Sequence, residues 1–139
     1  MSKFDMAKQF FDAREIPQGW GGCKSFVAIS AGFCAQSEPL ADMTSIEEYR
    51  DWTKAFGTVA AAGATYTLQL SAWDEETSTA TFFATYHATH VGKGGPVPPT
   101  NKSTNSHYVC VIQVGEDNLV TSLTKIWNAP WAMTELGWT

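Results

Sequence analysis

Residues 65–73 read TYTLQLSAW. Tyr66, Leu68, Leu70 and Ala72 fall on one side of an extended chain, and Thr67, Gln69, Ser71 and Trp73 on the other. Successive side chains of a strand point to opposite faces, so this period of two predicts a strand. It also marks where the chain changes character. Further on, DEETS (74–78) reads as a turn. TATFFATYHATHV (79–91) is a second strand, with Phe82, Ala84, Tyr86, Ala88 and His90 on its more apolar face. A third strand puts Tyr108, Cys110, Ile112 and Val114 on one side; GEDN (115–118) turns the chain, and LVTSLTKIWN (119–128) is the last strand.

Towards the N-terminus the period lengthens. Residues 3–15 predict a helix with Phe4, Ala7 and Phe11 on a shared face and Phe10 adjacent, ended by Pro17 and Gly19. Residues 20–29 predict a second helix with Cys23, Phe26 and Val27 as its apolar side. AGFCAQ (31–36) either continues that helix or forms a short strand. EPLAD (38–42) is a loop. Thr44 with Glu47 fits a capping box opening a third helix, whose inner stripe is Ile46, Tyr49, Thr53 and Phe56, flanked by Trp52 and ended by Gly57 or Gly63. Helices first and a meander of strands afterwards predict an α+β fold.

One connection is out of scale. THVGKGGPVPPTNKS (89–103) joins two strands, where hairpin loops usually have two to five residues. Its glycines and prolines exclude regular structure while limiting the chain's freedom. It is either a lid beside a pocket or a wrapping arm.

The bulk numbers exclude several classes. The 139 residues suffice for one domain, 1–139, with its own core. A net charge of −5, with nine Lys and Arg scattered along the chain, leaves no basic face for nucleic acid. No apolar run spans a bilayer, and the charged N-terminus lacks a signal core, which predicts a cytoplasmic protein with no membrane partner. Three widely spaced cysteines form neither a disulfide framework nor a zinc motif. His87 and His90 stand three apart in a strand and point to opposite faces, so they cannot chelate one ion; neither a metal nor a cofactor is expected.

His90 is the candidate acid–base group. It shares a face with Tyr86 where the strand gives way to the loop, and a histidine at a pocket mouth can exchange protons. The competing reading is a histidine bonded to backbone at a strand end. Asp42 is an alternative base on its loop. GKGG does not meet the phosphate-loop pattern, no GxSxG is present, and Cys110 sits on an apolar face as a packing residue.

The loop and the C-terminus carry a resemblance. Thr89-His90, Gly92, GPVPPTNKS (95–103) and IWNAPWAMTELGW (126–138) are similar to SnoaL-like proteins of the nuclear transport factor 2-like superfamily. FCAQSEPLAD (33–42) and SIEEYRDWTKAF (45–56) match more loosely. The resemblance implies a curved antiparallel sheet wrapped as a cone around a pocket, with helices closing it. It implies that AGFCAQ is a strand. It also implies a homodimer through the outer sheet face, where Thr67, Gln69, Ser71 and Trp73 would lie. The family holds cyclases and isomerases beside non-catalytic binding modules. The reading that follows is a small apolar ligand, polyketide- or steroid-like, held by Tyr66, Tyr86, Tyr108, Trp52 and Asn128. Metal-free proton transfer of cyclase, isomerase or lyase type would use His90 or Asp42. The family's cyclases place an acid beside the tryptophan where this chain has Trp127-Asn128; an amide there hydrogen-bonds an enolate but exchanges no proton.

Overall fold

The computed structural model describes residues 1–15 and 19–139. The elements run α1 (Lys3–Glu15), β1 (Val27–Ala35), α2 (Ile46–Ala55), β2 (Thr65–Asp74), β3 (Thr79–Thr89), β4 (Ser103–Val114), β5 (Val120–Trp127) and α3 (Ala129–Glu135). The expected helix stop at Pro17 lies outside the described residues. One sheet has the order β1-β5-β4-β3-β2. β2 to β5 form the antiparallel meander, but β1 lies parallel to β5, so the sheet is mixed rather than wholly antiparallel. The α+β class stands.

The predicted second helix is a correction. Residues 20–26 make two short 3-10 turns, Trp20–Gly22 and Lys24–Phe26, and β1 then runs through AGFCAQ as far as Ala35. Glycines at 21 and 22 disfavour a helix there, and the backbone from Val27 finds its partners on β5 instead. The cap of α2 is also one residue later than Thr44 and Glu47. Ser45 accepts from the Glu48 backbone N–H, and Glu48 reaches back to the backbone N–H of Thr44. This is the same reciprocal device, satisfying donors that a helix start leaves open. α2 stops at Ala55, and a wider turn at Phe56–Ala60 follows, closed by the Ala61 N–H donating to the Phe56 carbonyl at 2.7 Å.

The sheet's inner face carries the core. Phe82, Ala84 and Ala88 of β3 and Ser106, Tyr108, Cys110, Ile112 and Val114 of β4 are buried, as the alternation requires. Met6, Ala7, Phe10 and Phe11 of α1 lie on them, with Phe11 stacked on Phe82 at 4.5 Å. Burial of a phenylalanine is worth about 1.5–3 kcal/mol, so this face of α1 anchors the helix.

β2 departs from its simple alternation. Leu68 faces Ala84, yet Leu70 faces Phe83, so Gln69 is an extra residue in the ladder. Such a bulge exchanges the faces beyond it. Ser71 and Trp73 therefore pair with Phe82 and Ala80, and Trp73 turns inward to stack on Phe4 at 5.6 Å. Leu70, expected inside, is 54% exposed.

The long loop is tied at both ends. Beyond β3 the ladder continues through the His90 N–H to the Lys102 carbonyl and the Asn101 N–H to the His90 carbonyl. Val91 and Gly92 both donate to the Ala60 carbonyl at 3.0 Å. A Cβ at Gly92 would lie 1.9 Å from the Val59 carbonyl oxygen, so only glycine permits this approach.

Candidate functional site: a buried amine and an aromatic groove

Two places on the inner side concentrate chemistry. The first is deep. Alternation along β5 sends Lys125 and Trp127 inward and Ile126 and Asn128 outward. The Lys125 amine donates to the Tyr49 hydroxyl at 2.7 Å. It also lies over the rings of Tyr108 at 4.6 Å, Tyr49 at 4.9 Å and Trp127 at 5.4 Å. Phe33 stacks on Tyr49 at 4.6 Å, and the Trp127 indole donates to the Ser106 hydroxyl. A lysine head among ring faces gains cation–π attraction that offsets part of its lost hydration.

The second place is the open end. A groove of about 350 Å³ is lined by Trp52, Phe56, Met133 and Trp138, with Glu38, Pro39, Gly95 and Pro96 completing it. Trp52 and Phe56 stack at 5.2 Å, and Trp138 meets Phe56 edge-on at 5.6 Å. Trp52 also meets Trp127 at 6.2 Å, which links the two places. The loop that looked too long supplies Gly95 and Pro96 to the lining.

His90 occupies neither place as a free acid–base group. It is fully buried. The Trp138 indole N–H donates to its Nδ1 at 2.9 Å, and its Nε2 lies 2.9 Å from the Gly94 carbonyl. An indole nitrogen only donates and a carbonyl only accepts. The proton of the neutral ring therefore sits on Nε2, and both nitrogens are engaged. His90 clips the loop to the C-terminus, an arrangement that fits the bonded strand-end histidine.

Asn128 lies outside both places. It is exposed, with its backbone N–H donating to the His107 carbonyl, because it stands one residue past the inward Trp127. Asp42 is exposed and outside the groove lining. The tyrosines do share the inner face. Tyr66 pairs with Tyr86 across β2 and β3, and its hydroxyl donates to Asp12 at 2.9 Å. Burial pushes the Tyr86 phenol well above the usual tyrosine value, so it remains a proton donor. Tyr108 is buried beside Phe11. Of the five predicted ligand residues, Trp52 alone lines the groove.

Sequence reasoning missed Glu38, Phe56 as a groove wall, Met133, Trp138 and the Lys125–Tyr49 pair. A lysine in an otherwise strand-like run, at a position facing inward by the period of two, was the available signal for Lys125. Nothing local pointed to Trp138, whose partner His90 is 48 residues away. Among the described residues, no group of three or more His, Cys, Asp and Glu is arranged to hold a metal, and no helix is long and apolar enough to cross a membrane.

No family model matches the chain, and no curated protein matches its sequence. Solved structures do match. A proposed SnoaL-like polyketide cyclase from Jannaschia sp. CCS1 superposes with a TM-score of 0.76 at 12% identity, covering 96% of this chain and 90% of that one. IdmH of Streptomyces antibioticus, proposed to be a polyketide cyclase, gives 0.75 at 14% identity and 99% coverage of both chains. An NTF2-like protein from Burkholderia thailandensis gives 0.74 at 16% identity, covering 99% and 98%. The chain shares the fold of these SnoaL-like and NTF2-like structures. At these identities the likeness speaks for the fold, and function has to be argued from the site.

Proposed function

We propose that this protein binds a small apolar molecule in the groove at the open end of its cone. The observation that carries the reading is the convergence of Trp52, Phe56, Met133 and Trp138 on one space of about 350 Å³. That volume suits a compact ring system, and small-molecule sites are mostly apolar with a few polar groups. The polyketide cyclase descriptions of two structural neighbours agree with such a ligand class. The test is a tryptophan-fluorescence and melting-temperature titration with aromatic polyketide-like and steroid-like compounds. Binding that quenches fluorescence, raises the melting temperature and weakens in Met133→Ala supports the reading. Absence of any response across both compound sets overturns it.

A second reading adds proton transfer at an enolisable carbonyl, and the Lys125–Tyr49 hydrogen bond favours it. A ligand that reached past Trp52 into the core would meet the Tyr49 phenol, an acid that the Lys125 amine orients towards an enolate. Tyr49→Phe keeps the ring and removes the acid. Loss of deuterium exchange into a bound ketone in that variant, with binding retained, separates chemistry from binding.

The partner of the outer face is, on this reading, a second copy of the chain. Leu70, Phe83, Val109 and Ile126 follow one another across four paired strands. Leu70 and Ile126 are 54% and 60% exposed. A contiguous apolar row of that kind marks an interaction surface, and sedimentation at micromolar concentration reads its assembly.

A further inference from the structure

The groove is apolar, but its electrostatics are one-sided. Among the described residues, its lining contains one carboxylate, Glu38, and no lysine, arginine or histidine. The remaining walls include the rings of Trp52, Phe56 and Trp138. Aromatic faces carry negative potential, which attracts cations and repels anions. Trp52 and Phe56 lie nearly parallel, 12° apart, while Trp138 stands at 74° to Phe56, so the rings form walls in two orientations.

Trp138 sharpens this bias. Its indole N–H is taken up by His90 Nδ1 at 2.9 Å, so that donor is turned to the protein and not to the groove. Donation to a neutral imidazole also leaves more electron density on the indole. Gly95 lies against the six-membered ring of Trp138, where a Cβ would come within 2.8 Å, so the loop packs on that ring without a side chain between them. An anionic ligand would meet ring faces and a carboxylate with no counter-charge. A neutral ligand would gain burial alone. A cation would gain burial, the aromatic walls and Glu38 together, and the net charge of −5 favours its approach.

We propose that the groove selects an organic cation: an amine or quaternary ammonium carried on a compact apolar ring or chain. The proposal rests on the reading of the groove as a ligand site and specifies its ligand class. The rings surround the cationic head and Glu38 supplies the counter-charge. No covalent step is involved.

Benzyltrimethylammonium and neopentylbenzene have nearly the same shape and differ in charge, so they separate the two ideas. Each is titrated against the wild-type chain and Glu38→Gln, with tryptophan fluorescence and melting temperature as readouts. The expected result is binding of the cation at least tenfold tighter than its neutral counterpart. Glu38→Gln should lower cation affinity about fivefold and leave the neutral compound unchanged. Glu38 is exposed, so this variant should fold as wild type, which circular dichroism checks. Trp138→Leu should weaken the cation more than the neutral compound. Equal affinities, or a cation affinity indifferent to Glu38→Gln, overturn the cation proposal while the groove remains a ligand site. If neither compound changes fluorescence or melting temperature, the cation proposal falls; whether the groove reading falls with it is decided by the polyketide-like and steroid-like titration.

Discussion

The heart of the cone and its mouth are built from the same kinds of residue and differ in what fills them. At the heart, Tyr49, Tyr108 and Trp127 close around the amine of Lys125, and Phe33 backs Tyr49. At the mouth, Trp52, Phe56 and Trp138 face open space. One set of rings has its cation supplied by the chain; the other set has a carboxylate beside it and no cation. The heart should therefore act mainly on stability, and the mouth mainly on ligand affinity.

The largest expected effect belongs to the heart. Tyr49 is fully buried, and Tyr49→Ala removes a stacked ring and the acceptor of Lys125 together. A loss of about 3–5 kcal/mol is expected, in line with large-to-small aromatic truncations, read by urea denaturation. A loss below about 1 kcal/mol would mean that the heart is a cavity rather than a packed core.

Lys125→Met follows. It keeps much of the side-chain volume against the rings but removes the donor to the Tyr49 hydroxyl. An unfolding free energy lowered by about 1–3 kcal/mol is expected, the cost of taking one hydrogen bond from a buried hydroxyl. A stabilised variant would instead mean that the amine is retained for chemistry, and the exchange assay described for Tyr49→Phe then becomes the deciding measurement.

The mouth should behave in the opposite way. Met133→Ala is expected to change stability by about 1 kcal/mol or less, because Met133 is only partly buried and a substitution there opens little new cavity. Ligand affinity should fall severalfold in the same variant. Equal losses of stability and affinity would erase the distinction between the two regions.

The smallest effect concerns the strap that holds α3, and with it Met133, in place. The Glu135 carboxylate accepts from the Thr104 hydroxyl at 2.7 Å and the Asn105 backbone N–H at 2.9 Å. Those bonds hold its carboxyl below the ordinary glutamate value of 4.5. A depressed folded value gives stability that is present above the unfolded value and lost as pH falls through the folded one. Wild type should therefore lose slightly more stability than Glu135→Gln between neutral pH and acid. Parallel pH profiles for the two proteins, measured by thermal melts, would show that the strap contributes nothing.

Much of the fold was legible. The inward faces of β3 and β4 follow from alternation, and the helix at residues 3–15 and the stripe of Ile46, Tyr49 and Phe56 follow from helical spacing. The site was less so. Trp52 was found because it flanks a readable stripe. His90 stayed between two readings because its position, facing inward at a strand end, says nothing about what lies opposite it. Asn128 was placed from a motif and not from the register of the last strand, where the buried Trp127 makes its neighbour exposed.

What the sequence determined by itself is therefore local: which segments outside 20–29 are helix or strand, and which side of β3, β4 and α2 is apolar. These follow from periods of 2 and about 3.6 residues, which are properties of neighbours along the chain. The tertiary structure alone decided the rest. The bulge at Gln69 turned Trp73 inward, β1 found its place parallel to β5, and the C-terminal Trp138 took both the hydrogen-bonding site on His90 and a wall of the groove. The groove draws on Glu38, Trp52, Gly95 and Met133, which come from four separate stretches of chain. Their meeting depends on strand register and helix docking, and no periodicity within any one stretch encodes it.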